Sequence, residues 1–334
     1  MDKPITFVNA PQTSNSNITI NKKLRKEYAT TLLLWGHDRA FEYQEDRQYP
    51  TYYQYECGVS NPQKLQEELF QKGYYCEATF CEIFETYTLN ELKIIADSIG
   101  IPKSGKKSDL ITRILCNSHP DELHAHIGNR KYFTLSSKGK TYLQLHHDYV
   151  VFHKYSSFRI SIEAYEIAKN KLQSFDCETV LIYLMCQRVQ KNRFDILSYS
   201  YLKKLYDNTN QLDKAMLTFL LLLYFDVNYF FGFSWYFGDL KYMSPEYAKE
   251  SLIKHLHQQD FLQIDHATYF LKNIKFFKPD MIDYIYQSYQ LDFLIVSKSM
   301  FLNILNDMKE CAFFDTEKWN KLIYQKLKLT CKKI

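Results

Sequence analysis

Apolar residues in this chain recur mostly at three- and four-residue intervals, the spacing of one helix face, and only briefly at the two-residue interval of a strand. Gln63–Gln71 places Leu65, Leu69 and Phe70 on one face, and Gly73 follows as a C-terminal stop. Lys131–Leu135 and Tyr149–Phe152 are short apolar runs that predict strands, and Ser136–Lys140 between them starts a short helix. From Ser156 onward helical spacing dominates. It predicts helices over 160–174, 178–192, 197–207, 211–225, 245–258, 265–276, 279–289, 291–308 and 316–329. Leu181, Leu184 and Met185, and then Leu252, His255 and Leu256, show the interval.

These elements predict a mainly α protein in three parts. Residues 1–25 read as a flexible polar arm. Residues 26–155 form an N-terminal α(+β) domain, in which 132–153 has the strand–helix–strand order of a winged-helix region. Residues 156–334 form an all-α domain of tetratricopeptide-like helical hairpins or an irregular bundle, although no repeat of fixed period is present. Composition agrees with the helical reading. The 334 residues include only 9 Gly and 8 Pro, too few for the many tight turns of a sandwich. The length also suits more than one core.

Charge is informative through its distribution. The net value is +4, but residues 101–140 hold eight Lys and Arg against three acids, and 317–334 hold six Lys against one Glu. Basic patches of this kind attract phosphate. The longest apolar stretch, Leu217–Phe225 continued by Tyr229–Trp235, is interrupted by Asp226 and Asn228. It reads as a buried helix and not as a membrane span, which needs roughly 20 apolar residues. Eight scattered Cys and a polar N-terminus predict free thiols in a cytoplasmic protein.

One segment carries chemistry. Thr88 followed by Glu91 is a capping box. Leu89, Leu92, Ile95, Ala96 and Ile99 form an apolar face, Gly100 closes that helix, and Pro102 prevents its continuation. Ser104 is placed to cap a second helix, whose apolar side is Leu110, Ile111, Ile114 and Leu115. The product is a helical hairpin whose turn carries Lys103, Lys106 and Lys107 around Gly105. Helix N-terminal N–H groups, close backbone approach at the glycine and three ammonium groups suit a phosphodiester backbone, with little reading of sequence.

Over residues 86–116 this pattern, L-x-x-I-A-x-x-x-G-I-x-x-S-G-K-K-x-x-L-I-x-R-I, resembles the SAP family, whose members generally bind DNA and sometimes RNA as accessory modules. The resemblance implies that Gly105, Lys106, Lys107 and Arg113 line the binding face. With the turn residues, the expected contact set is Lys103, Ser104, Gly105, Lys106, Lys107 and Arg113. More loosely, 35–155 is similar to SAP-containing proteins of Gram-positive bacteria and their phages. The shared order is Trp35-Gly36, a Tyr-rich stretch, Gly73-Tyr74, the SAP segment, then Leu135 to Gly139.

Other constellations point nowhere comparable. Cys76 and Cys81 with His124 and His126 lack the close ligand pairs of a zinc site. His146 and His147 read as surface residues. No nucleotide loop, metalloprotease or hydrolase motif is present, so no cofactor, metal or catalytic residue is expected. The Tyr-rich piece Tyr49–Tyr55 is a candidate partner surface, whereas Tyr224, Phe225, Tyr229, Phe230, Phe231 and Phe233 read as core. The expected function is non-enzymatic DNA or RNA binding through the hairpin, with a protein partner or homo-oligomer contacted by the C-terminal helices and no membrane association. The alternatives are a phage or mobile-element adaptor with a purely structural hairpin, and a nuclease with an unrecognised site.

Overall fold

The computed structural model describes residues 21–228, 260–291, 294–310 and 314–331. Among them the chain is mainly helical, with three short strands. No helix among the described residues is long and apolar enough to cross a membrane. The chain divides into two compact units between Val180 and Leu181.

The first unit is organised around helix α1 (Lys22–Trp35), in which every residue from Tyr28 to Leu34 is buried. The helix begins where Asn21 Oδ1 accepts the Leu24 N–H at 3.1 Å. Lys22–Arg25 therefore belong to a helix and not to the expected arm, whose residues 1–20 lie outside the described residues. Strand β1 (Phe41–Glu42) and the short helix α2 (Tyr52–Tyr55) follow, then α3 (Pro62–Gln71), capped by Asn61, and β2 (Tyr75–Glu77). Four helices come next: α4 (Phe80–Thr86), α5 (Leu89–Ser98), α6 (Lys107–Asn117) and α7 (Pro120–Ile127). Strand β3 (Tyr132–Leu135) returns to the sheet, followed by α8 (Ser137–Leu145), α9 (His147–Lys154) and α10 (Ile162–Leu172). The sheet is antiparallel in the order β1-β3-β2, pairing Phe41 with Phe133 and Cys76 with Thr134.

The four-helix segment thus leaves and re-enters the sheet on two paired strands. Ala78 N–H donates to Tyr132 C=O at 3.0 Å just where it departs. On the other side of the sheet's junction, Gly73-Tyr74 and Leu135–Gly139 meet. Tyr74 C=O accepts the Ser136 N–H at 3.0 Å, and Ser136 Oγ donates to Gly73 C=O at 2.7 Å. A Cβ on Gly139 would stand 2.3 Å from Tyr74 C=O, so only glycine permits this approach. The Trp35-Gly36 element delivers buried His37 onto Phe41, ring on ring at 3.9 Å. There Nδ1 meets Tyr75 hydroxyl at 3.0 Å, and Arg47 reaches Nε2 at 2.6 Å. Burial and the Arg47 charge lower the His37 pKa to about 3. The ring is therefore neutral and holds β1 and β2 to one another.

Two expectations for 132–155 are corrected. Tyr149–Phe152 lies within α9 and is not a strand. Its Tyr149, Val150 and Phe152 are buried, and Tyr28 of α1 touches the Tyr149 and Phe152 rings edge-on at 5.8 and 5.7 Å. A four-residue apolar run fits either structure by pattern, and packing on a helix decided it. The winged order is therefore absent, because β3 pairs with segments near residues 41 and 75. The expected break at 155/156 also falls inside the first unit, since α10 packs on α1 and its Glu163 is paired with Arg25 at 2.6 Å.

The second unit begins early in α11 (Cys177–Lys191) and continues through α12 (Ile196–Asn208), α13 (Leu212–Asn228), α14 (Ile264–Lys272), α15 (Asp280–Ser288), α16 (Lys298–Glu310) and α17 (Thr316–Cys331). The helix expected over 245–258 and Tyr229, Phe230, Phe231 and Phe233 lie outside the described residues. The helix expected from 291 starts at Lys298, where Ser297 Oγ accepts the Met300 N–H at 3.3 Å. Helices α12 and α13 pack along one another, and α13 is buried over most of its surface. Its core is aromatic. Tyr224 hydroxyl donates to Tyr289 C=O, and the Tyr199 and Tyr289 hydroxyls share a hydrogen bond, both at 2.6 Å.

Candidate nucleic-acid interface

Helices α4 to α7 share one aliphatic core. Ile83 and Phe84 of α4 meet Leu92, Ile95 and Ala96 of α5, Leu110, Ile111 and Ile114 of α6, and Leu123 and Ile127 of α7. The module is therefore larger than the hairpin read from the sequence. Its outer helices had local signals: Thr79 with Glu82 is a second capping box, and Pro120 opens α7 ahead of two acids. Helix α5 begins as expected. Thr88 N–H donates to the Glu91 carboxylate at 2.6 Å, and Glu91 N–H to the Thr88 hydroxyl at 3.3 Å. Those bonds from Thr88 hold the Glu91 pKa below its ordinary value of 4.5. The helix ends in a double hydrogen-bond closure. Gly100 N–H reaches Asp97 C=O and Ile101 N–H reaches Ala96 C=O, with Gly100 at φ +72°.

The turn that follows is held by two side chains. Lys103 pairs with Asp97 at 2.5 Å. Arg113, nearly two helical turns into α6, folds its guanidinium back over the loop. It donates to Pro102 C=O at 2.5 Å, to Ser104 C=O, and to Asp109 C=O at 3.4 Å. Gly105 then takes φ +107°, a backbone state that L side chains rarely adopt. The cap of α6 is not Ser104, as expected, but Lys106, whose side chain makes no cap. The first helical residue is Lys107, two residues later than a cap at Ser104 would place it. Unlike α4 and α5, α6 has no side-chain cap, and no side chain among the described residues covers its first-turn N–H groups.

The six expected contact residues are brought together, but with different roles. Lys106 is exposed, and no hydrogen bond or ion pair among the described residues engages its ammonium. Lys107 is half-buried and donates to Glu85 C=O at 2.7 Å. Lys103 is paired yet exposed, Ser104 lends its carbonyl, and Gly105 supplies the bend. Arg113 bonds the loop carbonyls with its guanidinium. The arrangement presents the Lys106 ammonium, unengaged among the described residues, with the tethered Lys103 and Lys107 and the start of α6 on the same turn, which suits a phosphate oxygen.

Other candidates are dispersed. Among the described residues no group of three His, Cys, Asp or Glu could hold a metal ion. His124 packs its ring on Phe80 at 4.8 Å, and His126 Nε2 lies 3.4 Å from Ser98 Oγ. In the Tyr-rich piece, Tyr53 is buried, Tyr49 hydroxyl donates to Gln63 at 3.0 Å, and Tyr55 is exposed.

Compared with known proteins, residues 83–117 match the SAP domain. No curated protein and no solved structure matches the chain. The matched span starts at the last turn of α4 and ends with α6, so it contains the whole turn and both helices that hold it.

Proposed function

We propose that this protein binds nucleic acid without chemical turnover, gripping the phosphate backbone of duplex DNA at the turn between α5 and α6. The SAP domain is a DNA-binding module, and the match over 83–117 supports nucleic-acid binding in general. The observation that carries the finer reading is the uncovered start of α6 beneath the free ammonium of Lys106. Few phosphates can touch so short a turn, so affinity is of the non-specific kind, roughly 10⁻⁴–10⁻⁶ M, and falls with salt. Protein recruitment or self-association is assigned to the helical second unit, where Leu197, Ile264 and Leu329 stand about half exposed. Sedimentation of residues at rising concentration tests that part.

The test of DNA binding is fluorescence anisotropy with a labelled duplex, comparing the parent chain with Lys106→Glu. Attraction becomes repulsion at the contact, and binding should fall by an order of magnitude or more. The melting curve should hold, because Glu at a helix start favours the dipole. Lys321→Glu with Lys326→Glu, on the basic last helix, is the control. If the control loses binding and Lys106→Glu does not, the contact lies at the C-terminus and the reading is wrong.

A further inference from the structure

We propose that the phosphate contact extends beyond the SAP-matched residues, along a cleft of about 610 Å³ beside the start of α6, where Arg39 and Lys140 grip the same DNA backbone. This rests on the reading above. Lys107, Ser108 and Thr112 of α6 form one wall of the cleft. Arg39, from the link between α1 and β1, and Lys140, from α8, line it as well. Both are exposed, and neither makes a hydrogen bond or ion pair among the described residues. Neither belongs to the module. They are brought there because the module is mounted between β2 and β3, while the adjoining platform supplies β1 and α8.

The cleft also holds carboxylates, and their placement makes the proposal sharper. Glu82 is committed to the cap of α4, accepting from Thr79 N–H at 2.9 Å and from the Thr79 hydroxyl at 2.8 Å, which lowers its pKa. Asp38 and Glu85 are exposed, and their carboxylates make no hydrogen bond or ion pair among the described residues. A polyanion passing along this cleft meets three cations, Arg39, Lys107 and Lys140, and three carboxylates, Asp38, Glu82 and Glu85, of which Glu82 is bonded to Thr79 and lies near enough to Lys140 to feel its charge. A surface off the DNA path would feel neither. The two kinds of substitution therefore have opposite predicted signs, which general loss of fold cannot imitate.

The experiment is a salt titration of duplex binding by the full chain. Each phosphate contact contributes about 0.9 to the slope of log affinity against log salt. Arg39→Ala with Lys140→Ala should lower that slope by about 2 and weaken binding several-fold. Arg39→Lys with Lys140→Arg should keep both. Asp38→Asn with Glu85→Gln should tighten binding several-fold. An unchanged slope in the alanine pair, or no tightening in the amide pair, overturns the extension. If Lys106→Glu still abolishes binding in that case, the turn remains the contact and only the extension fails. If Lys106→Glu is also silent, the underlying reading fails with it.

Discussion

The helical module of α4 to α7 and the platform that carries it are neighbours in one compact unit, built on opposite principles. The module's core comes from a single stretch, Ile83 to Ile127, and the starts of α4 and α5 are set by residues within four positions of them. The platform joins residues far apart in sequence: Phe41 pairs with Phe133, Tyr74 with Ser136, and Arg25 with Glu163. The module holds the α5–α6 turn with local bonds from Lys103 and Arg113. The platform contributes mounting, close approach and the cations beside it. Damage to one should therefore read differently from damage to the other.

The sharpest break is Leu92→Ala. Leu92 is fully buried at the centre of the module, and truncating such a residue costs about 2–5 kcal/mol. Hydrogen exchange should rise first in α4 to α7 while the β2–β3 amides stay protected. Equal loss in both regions would show that they share one core.

Acid should separate the regions by pH. Neutral buried His37 has its pKa depressed to about 3, against 6.5 when unfolded. The unfolded chain takes up that proton first, so platform stability falls as pH drops through 6.5, by about 1.4 kcal/mol per unit until near pH 3. At pH 4.5 the loss is about 2.7 kcal/mol. In the module, Glu91 has a depressed pKa. Its contribution is present above 4.5 and is lost only as pH falls below that value. Urea melts of the parent and of His37→Phe between pH 7 and 4 test this. Parallel curves would mean that His37 does not govern the platform.

Gly139→Ala places a methyl against Tyr74 C=O and should cost about 1–3 kcal/mol, as overpacking does. Exchange should rise at Ser136 and Tyr74 before it rises in α5. Thr88→Ala removes one cap and should cost about 1 kcal/mol. It should leave DNA affinity nearly unchanged, since the cap lies at the far end of α5 from the turn. Arg113→Ala frees the carbonyls of Pro102 and Ser104 and should weaken DNA binding only a few-fold by loosening the turn. A loss as large as that of Lys106→Glu would make Arg113 a direct phosphate contact instead.

What the sequence alone determined is whatever depends on neighbours within one helical turn. The Thr88–Glu91 cap, the Gly100 stop, the two apolar faces of α5 and α6 and the helical character of the C-terminal half were all legible, because caps and 3.6-residue periodicity are short-range properties. Long-range contact decided the rest. Tyr149–Phe152 became helix because α1 offered it a surface. Ser104 does not cap α6, which starts at Lys107, past the positive-φ bend at Gly105. The Arg113 guanidinium folds onto the loop because the carbonyls of Pro102 and Ser104 lie within its reach. Arg39 and Lys140 stand beside the module only because antiparallel pairing closes a sheet over residues some ninety positions apart, a pairing that no local pattern specifies.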